Sequence, residues 1–257
     1  ANGELVFDEV PDDVTATWDY SSHFGDADIQ YARLYCNGLS LGEACPTPQH
    51  EHWKQVTNKL RAFLRSFDAA KVSLDEHCFF KLVPERFLLE FFDTKNLITK
   101  HVLENYPEPE NYDFLVDLSK VIADISHRQL NLDRDALRNG LASKRVRDFW
   151  KKTRAQSRIQ YNIFGTKTGR LTTKKGSFPI LTMDSNFRSV IKPHNDWLVE
   201  LDFNAAELRV LLALSGNEQP SEDLHEWNMR NVFSGVDVRD EAKKKIFAWL
   251  YNPKTLN

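Results

Sequence analysis

The stretch Leu198-Val-Glu-Leu-Asp-Phe-Asn-Ala-Ala-Glu-Leu-Arg209 constrains this chain most, because it changes period in mid-course. Leu198, Leu201 and Phe203, around Val199 and Glu200, suit a short strand. From Ala205 to Leu214 the chain is dense in alanine and leucine, the composition of a well-buried helix. Asp202 falls at the expected junction of the two. A carboxylate at the tip of a rigid element is well placed to hold a divalent cation such as Mg²⁺, which takes one or two carboxylates plus substrate oxygens. The same carboxylate serves equally well as a helix cap, and this stretch alone leaves both readings open.

A second pattern lies downstream. Arg239, Lys243, Phe247 and Tyr251 recur every fourth residue in a segment that reads as helix. Four residues at 3.6 per turn advance about 400°, so the side chains form one slowly drifting stripe. Like charges at i, i+4 weaken an isolated helix. The pair makes sense if a polyanion lies along the stripe: arginine grips oxygens as a fork and lysine supplies a point charge. A triphosphate fits, with an aromatic ring one turn further on to stack on a base or sugar. The bland reading is a solvated basic face, to which Lys244 and Lys245 belong.

Asp202-x-x-x-x-Glu207-Leu-Arg209 resembles motif A of the family A DNA polymerases, the bacterial polymerase I type with its phage and mitochondrial relatives. Arg239-x-x-x-Lys243-x-x-x-Phe247-x-x-x-Tyr251 resembles motif B of that family's fingers helix. Thr168-Gly-Arg-Leu171 resembles the Thr-Gly-Arg element upstream, and Asp223-Leu-His225 the Asp-Ile-His element between A and B. The four stand in the family's order at compatible distances.

The chain has 257 residues, 41% hydrophobic and 12% aromatic, enough for a packed core in one large or two smaller domains. Its net charge of −3 is unlike that of a dedicated DNA wrapper, so a nucleic-acid site must be a local basic patch. Cys36, Cys45 and Cys78 are odd in number and lack Cys-x-x-Cys spacing, which argues against a disulfide framework or zinc site and for a reducing compartment. No apolar run approaches membrane-spanning length and no charged-then-apolar leader opens the chain, so the expectation is a soluble, intracellular protein without a membrane partner. The resemblance implies the cytoplasm of a bacterial or phage-infected cell.

Read in order, residues 1–26 are acidic and polar. Ala27–Leu41 suggests strands around an Asn37-Gly38 hairpin turn. Trp53–Phe67 carries a helical stripe, Lys71–Leu74 is a strand candidate, Glu76–Val83 a helix candidate, Leu88–Asp93 a second strand, and Thr94–Glu104 helix again. This alternation predicts a small α/β domain over about residues 14–106. It resembles the 3′–5′ exonuclease domain that precedes the polymerase in this family. Its metal-binding carboxylates are lacking: Asp19-Tyr-Ser21 stands where Asp-x-Glu is expected, Phe79 or Phe80 replaces an aspartate, and Asp93 alone cannot hold a metal pair. The expectation for residues 1–106 is therefore an exonuclease-like domain without nuclease activity.

Residues 107–160 read as a linker and shortened thumb helices, beginning with the proline-containing Tyr106–Asn111 and a helical stripe over Asp113–His127. Asp133 reads as a cap for the helix towards Trp150. Lys144–Arg158 is the most basic stretch, extended by Lys167, Arg170, Lys174 and Lys175. Such side chains beside Tyr161 and Phe164 suit contact with a duplex backbone, or else a solvated helix face. Residues 161–215 read as a palm segment with motif A, and 216–257 as the start of the fingers with motif B. The fold class expected overall is mixed α/β: an exonuclease-like domain followed by partial thumb, palm and fingers of a right-hand polymerase.

The resemblance implies a DNA-directed DNA polymerase that adds deoxynucleotides to a primer 3′ end by two-metal transfer. Asp202 would bind Mg²⁺, with the Phe203 carbonyl completing a shell. Arg239 and Lys243 would hold the triphosphate, with Lys243 also protonating the leaving group, and His225 would donate to a phosphate oxygen. Phe247 would pack on the sugar and base, Tyr251 beside the nascent pair, and Glu207 against the position of a 2′-hydroxyl. Arg170, with Lys167 and Lys174, would contact the primer–template duplex. The single-subunit RNA polymerases lack the Glu-Leu-Arg continuation, which favours DNA synthesis.

The chain departs from the family where it stops. It ends at Asn257, just after motif B, and the His-Asp pair of motif C is absent; Tyr251 is followed by Asn252-Pro253 where glycine is usual. One carboxylate holds a metal pair poorly. The chain is therefore expected to polymerise weakly or not at all alone, as a fragment or as one half of a split polymerase whose partner carries motif C. The competing expectation is a non-catalytic polymerase-like subunit that binds primer–template or nucleotide.

Overall fold

A computed structural model describes residues 31–252 except 75, 76 and 234; the Asp19-Tyr-Ser21 reading lies outside these residues. Contacts divide the chain into two compact units, residues 1–194 and 195–257. Among the described residues the chain mixes helix and strand, with helix dominant and strands only two residues long.

The first unit opens with α1, Ala32–Tyr35. The Asn37-Gly38 signal does mark a turn, with both residues at positive φ (51° and 80°), but the turn closes this helix instead of joining two strands. Arg33 holds it by donating from Nη2 to the Gly38 carbonyl at 2.9 Å. A Cβ at Gly38 would lie 2.2 Å from Cδ2 of Phe164. Gly38→Ala thus meets both a backbone and a steric penalty and should destabilise the unit by more than about 1 kcal/mol, read from the urea midpoint.

Helices α2, His50–Ala69, and α4, Glu85–Asn105, form the aromatic core of this unit. Val56, Leu60, Phe63 and Phe67 repeat at helical spacing along α2 and meet Phe87, Leu88, Phe91 and Phe92 of α4. Trp53 stacks on Phe91 at 5.6 Å and Phe63 meets Phe87 at 5.1 Å. The strand expected over Leu88–Asp93 is helix throughout. A short apolar run cannot be told from a buried helix by periodicity, and Pro84 with Glu85 behind it starts a helix that carries the run along. Lys71–Leu74 is turn and irregular chain, and the helix expected over Glu76–Val83 shrinks to α3, Phe79–Leu82. Residues 31–106, as far as described, contain no strand, so the strand–helix alternation expected there is not observed. Phe79 and Phe80 pack into the core, and Asp93 is exposed on α4.

Beyond the linker, α5 spans Tyr112–His127. A second core follows, from Leu137, Phe149, Phe178, Phe187 and Val190. Strand β1, Asn131–Leu132, lies in front of a 3₁₀ turn, Arg134–Gly140, which Asp133 caps by accepting from Ala136 N–H at 3.3 Å. Helix α6 runs Lys144–Ala155 and supplies Phe149, stacked on Phe187 at 4.5 Å. Strands β2, Tyr161–Asn162, and β3, Thr172–Thr173, pair antiparallel as a hairpin. β4, Ile191–Lys192, pairs antiparallel with β1, Leu132 opposite Ile191. Phe178 is completely buried at the centre. Phe178→Ala should cost about 3–5 kcal/mol, seen as a lower unfolding midpoint for this unit.

The second unit holds α7, Ala206–Leu214, α8, Leu224–Asn231, and α9, Arg239–Tyr251. Its core is Leu208, Leu224 and Ile246, flanked by Leu212, Phe233, Phe247 and Leu250. No helix among the described residues is long and apolar enough to cross a membrane.

Candidate functional site

The strand expected over Leu198–Phe203 does not form. The segment is irregular and its apolar side chains face solvent, Leu201 at 90% and Phe203 at 80% exposure. A strand exists only through pairing, and nothing among the described residues pairs with this one. Asp202 is exposed within it and does not cap α7. The cap position falls to Ala205, left-handed at φ 50°, with no side-chain acceptor. Among the described residues no group of three or more His, Cys, Asp or Glu side chains is placed to hold a metal ion.

What the second unit does assemble is centred on Asp223. As the cap of α8 it accepts from the N–H groups of His225, at 2.8 Å, and Glu226, at 3.0 Å. Its other oxygen accepts from Nη2 of Arg239 at 2.7 Å, from Nε of Arg239 at 3.2 Å, and from the Asn204 amide. Four donors, one of them charged, hold this carboxyl well below the usual carboxylate range, the Arg239 bonds most of all. Arg239 is the first residue of α9, where a cation faces the positive end of the helix dipole. Asp223 offsets that penalty and fixes the guanidinium at the junction of α8 and α9.

Asn204 and Arg209 complete the frame. Asn204 Oδ1 accepts from Leu224 N–H at 3.1 Å. Arg209 donates to the carbonyls of Asn204, Pro220 and Glu222 at 2.9, 3.0 and 3.1 Å, tying α7 to the loop before α8. Motif reasoning picked out Arg209 without this structural use and passed over Asn204. The signal for Asp223 was available: an aspartate directly before a helical segment reads as a cap.

His225 is 3% exposed, and its Nδ1 has no hydrogen-bond partner. Its ring lies 5.8 Å from that of Phe247. Burial, then the positive charges of Arg239 and Lys243, push its pKa below the ordinary value. These two cations and the imidazole therefore share one local field. Phe247 and Tyr251 lie parallel, 5° between planes and 6.0 Å between centroids, continuing the stripe beyond Lys243. Lys243 and Tyr251 are exposed, and Glu207 is half-buried in the first turn of α7. The structure thus brings Arg239, Lys243, His225, Phe247 and Tyr251 onto one side of α9; it gives Asp202 and Phe203 no such framing.

The imidazole has a measurable consequence. A histidine whose folded pKa is depressed contributes stability that is complete above its unfolded value of about 6.5 and is lost as pH falls below that towards the folded pKa. The thermal midpoint of the second unit should fall between pH 7 and pH 5, and the slope should flatten in His225→Phe. An unchanged slope would remove His225 as the cause.

In the first unit, Lys167 and Arg170 are exposed on the connection between β2 and β3, and Lys174 is exposed just after β3. Gly169 sits at φ 74°, a left-handed position that glycine adopts without strain, which accounts for it between Thr168 and Arg170. The Thr166 hydroxyl donates to the Arg170 carbonyl at 3.0 Å and tightens the bend. Part of the basic α6 stretch is occupied structurally. Arg145 pairs with Asp184, Arg147 donates to the carbonyls of Leu141 and Ala142, and Arg154 lies 4.9 Å over Trp150.

Comparison with family models, with curated proteins and with solved structures found no match for this chain.

Proposed function

We propose that this chain is the nucleotide- and primer-binding part of a template-directed DNA polymerase of the family A type, which adds deoxynucleotides to a primer 3′ end. The observation that carries the reading is the basic side of α9: Arg239 and Lys243 in one field with a buried His225 whose Nδ1 has no partner, followed by two parallel rings. A triphosphate meets all of these features, taking charge from the two cations and a hydrogen bond from the imidazole. Its sugar and base then fall beside Phe247 and Tyr251. Glu207 is assigned to exclusion of a 2′-hydroxyl, and Arg170, Lys167 and Lys174 to the backbone of the primer–template duplex. The setting proposed is the cytoplasm.

Mg²⁺ belongs to this reading through Asp202 and the Phe203 carbonyl. The described residues do not by themselves make such a site, since Asp202 is exposed and no carboxylate cluster surrounds it. Activity on this account requires a further polymerase segment or subunit that contributes a second carboxylate. That same observation favours one alternative, a non-catalytic subunit that binds primer–template or nucleotide.

The test is primer extension by the protein isolated from its source, wild type against Asp202→Ala. Incorporation abolished in the variant is the expected result, and incorporation unaffected by it defeats the proposal. Nucleotide binding without incorporation in the wild type selects the binding subunit.

A further inference from the structure

The first unit contains a cavity of about 400 Å³ between α1, α5 and the β2 strand, within the size range of small-ligand sites. Among the described residues its lining includes Arg33 and Lys174 and no carboxylate, although acidic residues outnumber basic ones in the chain, 37 to 34. Arg33 donates from Nε and Nη2 to the Leu39 and Gly38 carbonyls and lies in the field of Glu43, so the Lys174 ammonium and the remaining Arg33 nitrogen supply the positive charge of the cavity.

The remaining lining divides by chemistry. Tyr161 and Phe164 offer aromatic surface, and Ile122 lies among the apolar residues. Ser119 and Ser126 also line the cavity, and their hydroxyls donate back to the Leu115 and Ala123 carbonyls within α5. Each serine oxygen therefore keeps lone pairs for an outside donor. Burial raises the Tyr161 pKa, which keeps its phenol protonated and able to donate. The hairpin wall is held in place: Gln160 N–H donates to Ser177 Oγ at 2.9 Å, Lys174 N–H to the Gln160 carbonyl at 2.8 Å, and Phe164 N–H to Asn162 Oδ1 at 3.2 Å. Gly38 closes against Phe164 with no room for a Cβ, so the α1 turn and the hairpin are packed tightly beside the cavity.

We infer that this cavity binds a nucleoside monophosphate or a compound of the same chemistry: a flat ring with amino edges joined to one dianionic phosphate. The rings take the base face, the serine oxygens its amino hydrogens, and Lys174 with Arg33 the phosphate. The inference stands on the first unit alone and does not depend on the reading of α9.

The experiment is calorimetric titration of the whole chain at low salt with three probes: adenosine monophosphate, adenosine and inorganic phosphate. The monophosphate should bind at least tenfold more tightly than either part. Ala123→Phe, which fills the cavity from α5, and Lys174→Glu, at an exposed position, should each weaken it at least tenfold with the thermal midpoint unchanged. The double variant Arg239→Ala with Lys243→Ala should leave it intact. Phosphate binding as tightly as the monophosphate, binding unaffected in Lys174→Glu, or binding lost in the α9 double variant would each overturn the assignment, as would no binding at all.

Discussion

Lys243→Ala is expected to weaken binding of a deoxynucleoside triphosphate by about 10- to 100-fold, the worth of one charge-assisted hydrogen bond to phosphate. Unfolding should shift by no more than about 0.5 kcal/mol, because Lys243 is exposed and makes no ion pair with a described residue. If the ammonium also passes a proton to the leaving group, incorporation by the active enzyme falls further than binding does, by about 10²-fold. Lys243→Arg separates these roles: it keeps the charge, restores most of the binding, and cannot give up a proton at neutral pH. Comparing affinity and incorporation across the three proteins tells grip from proton transfer. A Lys243→Ala protein that binds triphosphate as well as wild type would exclude α9 from the nucleotide site.

Asp223→Ala is the variant expected to cost most in the second unit, about 2–4 kcal/mol. It deletes a helix cap worth about 1 kcal/mol. It also leaves Arg239 at a helix N-terminus without its counter-charge and strips the Asn204 amide of an acceptor. Asp223→Asn is the informative companion. Asparagine caps as well as aspartate, so the α8 start should survive while the charge opposite Arg239 is lost. The loss in Asp223→Asn relative to wild type isolates the ion pair, and the further loss in Asp223→Ala isolates the cap. The pH dependence has a definite sign. A carboxylate with a depressed folded pKa contributes stability that is complete above its unfolded value of about 3.9 and is lost as pH falls through the folded pKa. The wild-type second unit should therefore lose this contribution only below about pH 4, apart from the milder loss traced to His225, and Asp223→Asn should lack that acid limb. A functional consequence follows from the same contact. The guanidinium of Arg239 already has an anionic partner, so an incoming triphosphate must share it with Asp223, whereas Lys243 makes no ion pair among the described residues.

Helices with a regular apolar stripe were legible in the sequence. Val56, Leu60, Phe63 and Phe67 announced α2, and Leu115 and Ile122 announced α5, because one face of each is buried. The segments misread as strands fail for a common reason. Leu88–Asp93 places Leu88, Leu89, Phe91 and Phe92 close together on α4, a run too short to show whether its period is that of a helix or a strand. Asn37-Gly38 requires positive φ in a helix-ending turn as much as in a hairpin, so the dipeptide located a turn without naming its neighbours. Leu198–Phe203 has strand composition, yet composition supplies no partner strand, and the described chain offers none.

The site divides along the same line. The Arg239, Lys243, Phe247 and Tyr251 stripe was readable because a helix turns spacing directly into geometry. The Asp223–Arg239 pair was not, since the residues lie 16 apart and meet only through the packing of α8 on α9. The burial of His225 was equally invisible: a lone histidine in sequence carries no sign of whether its ring nitrogens will find partners.

The most direct measurement of the central claim is retention of a labelled deoxynucleoside triphosphate on the protein bound to a primer–template whose primer ends in a dideoxynucleotide, so that no chemistry is required. The four nucleotides are compared against each of the four templating bases. The account predicts that the nucleotide complementary to the templating base is retained at least tenfold better than the others, and that Lys243→Ala abolishes the difference. Equal retention of all four nucleotides, whatever the template, would contradict it.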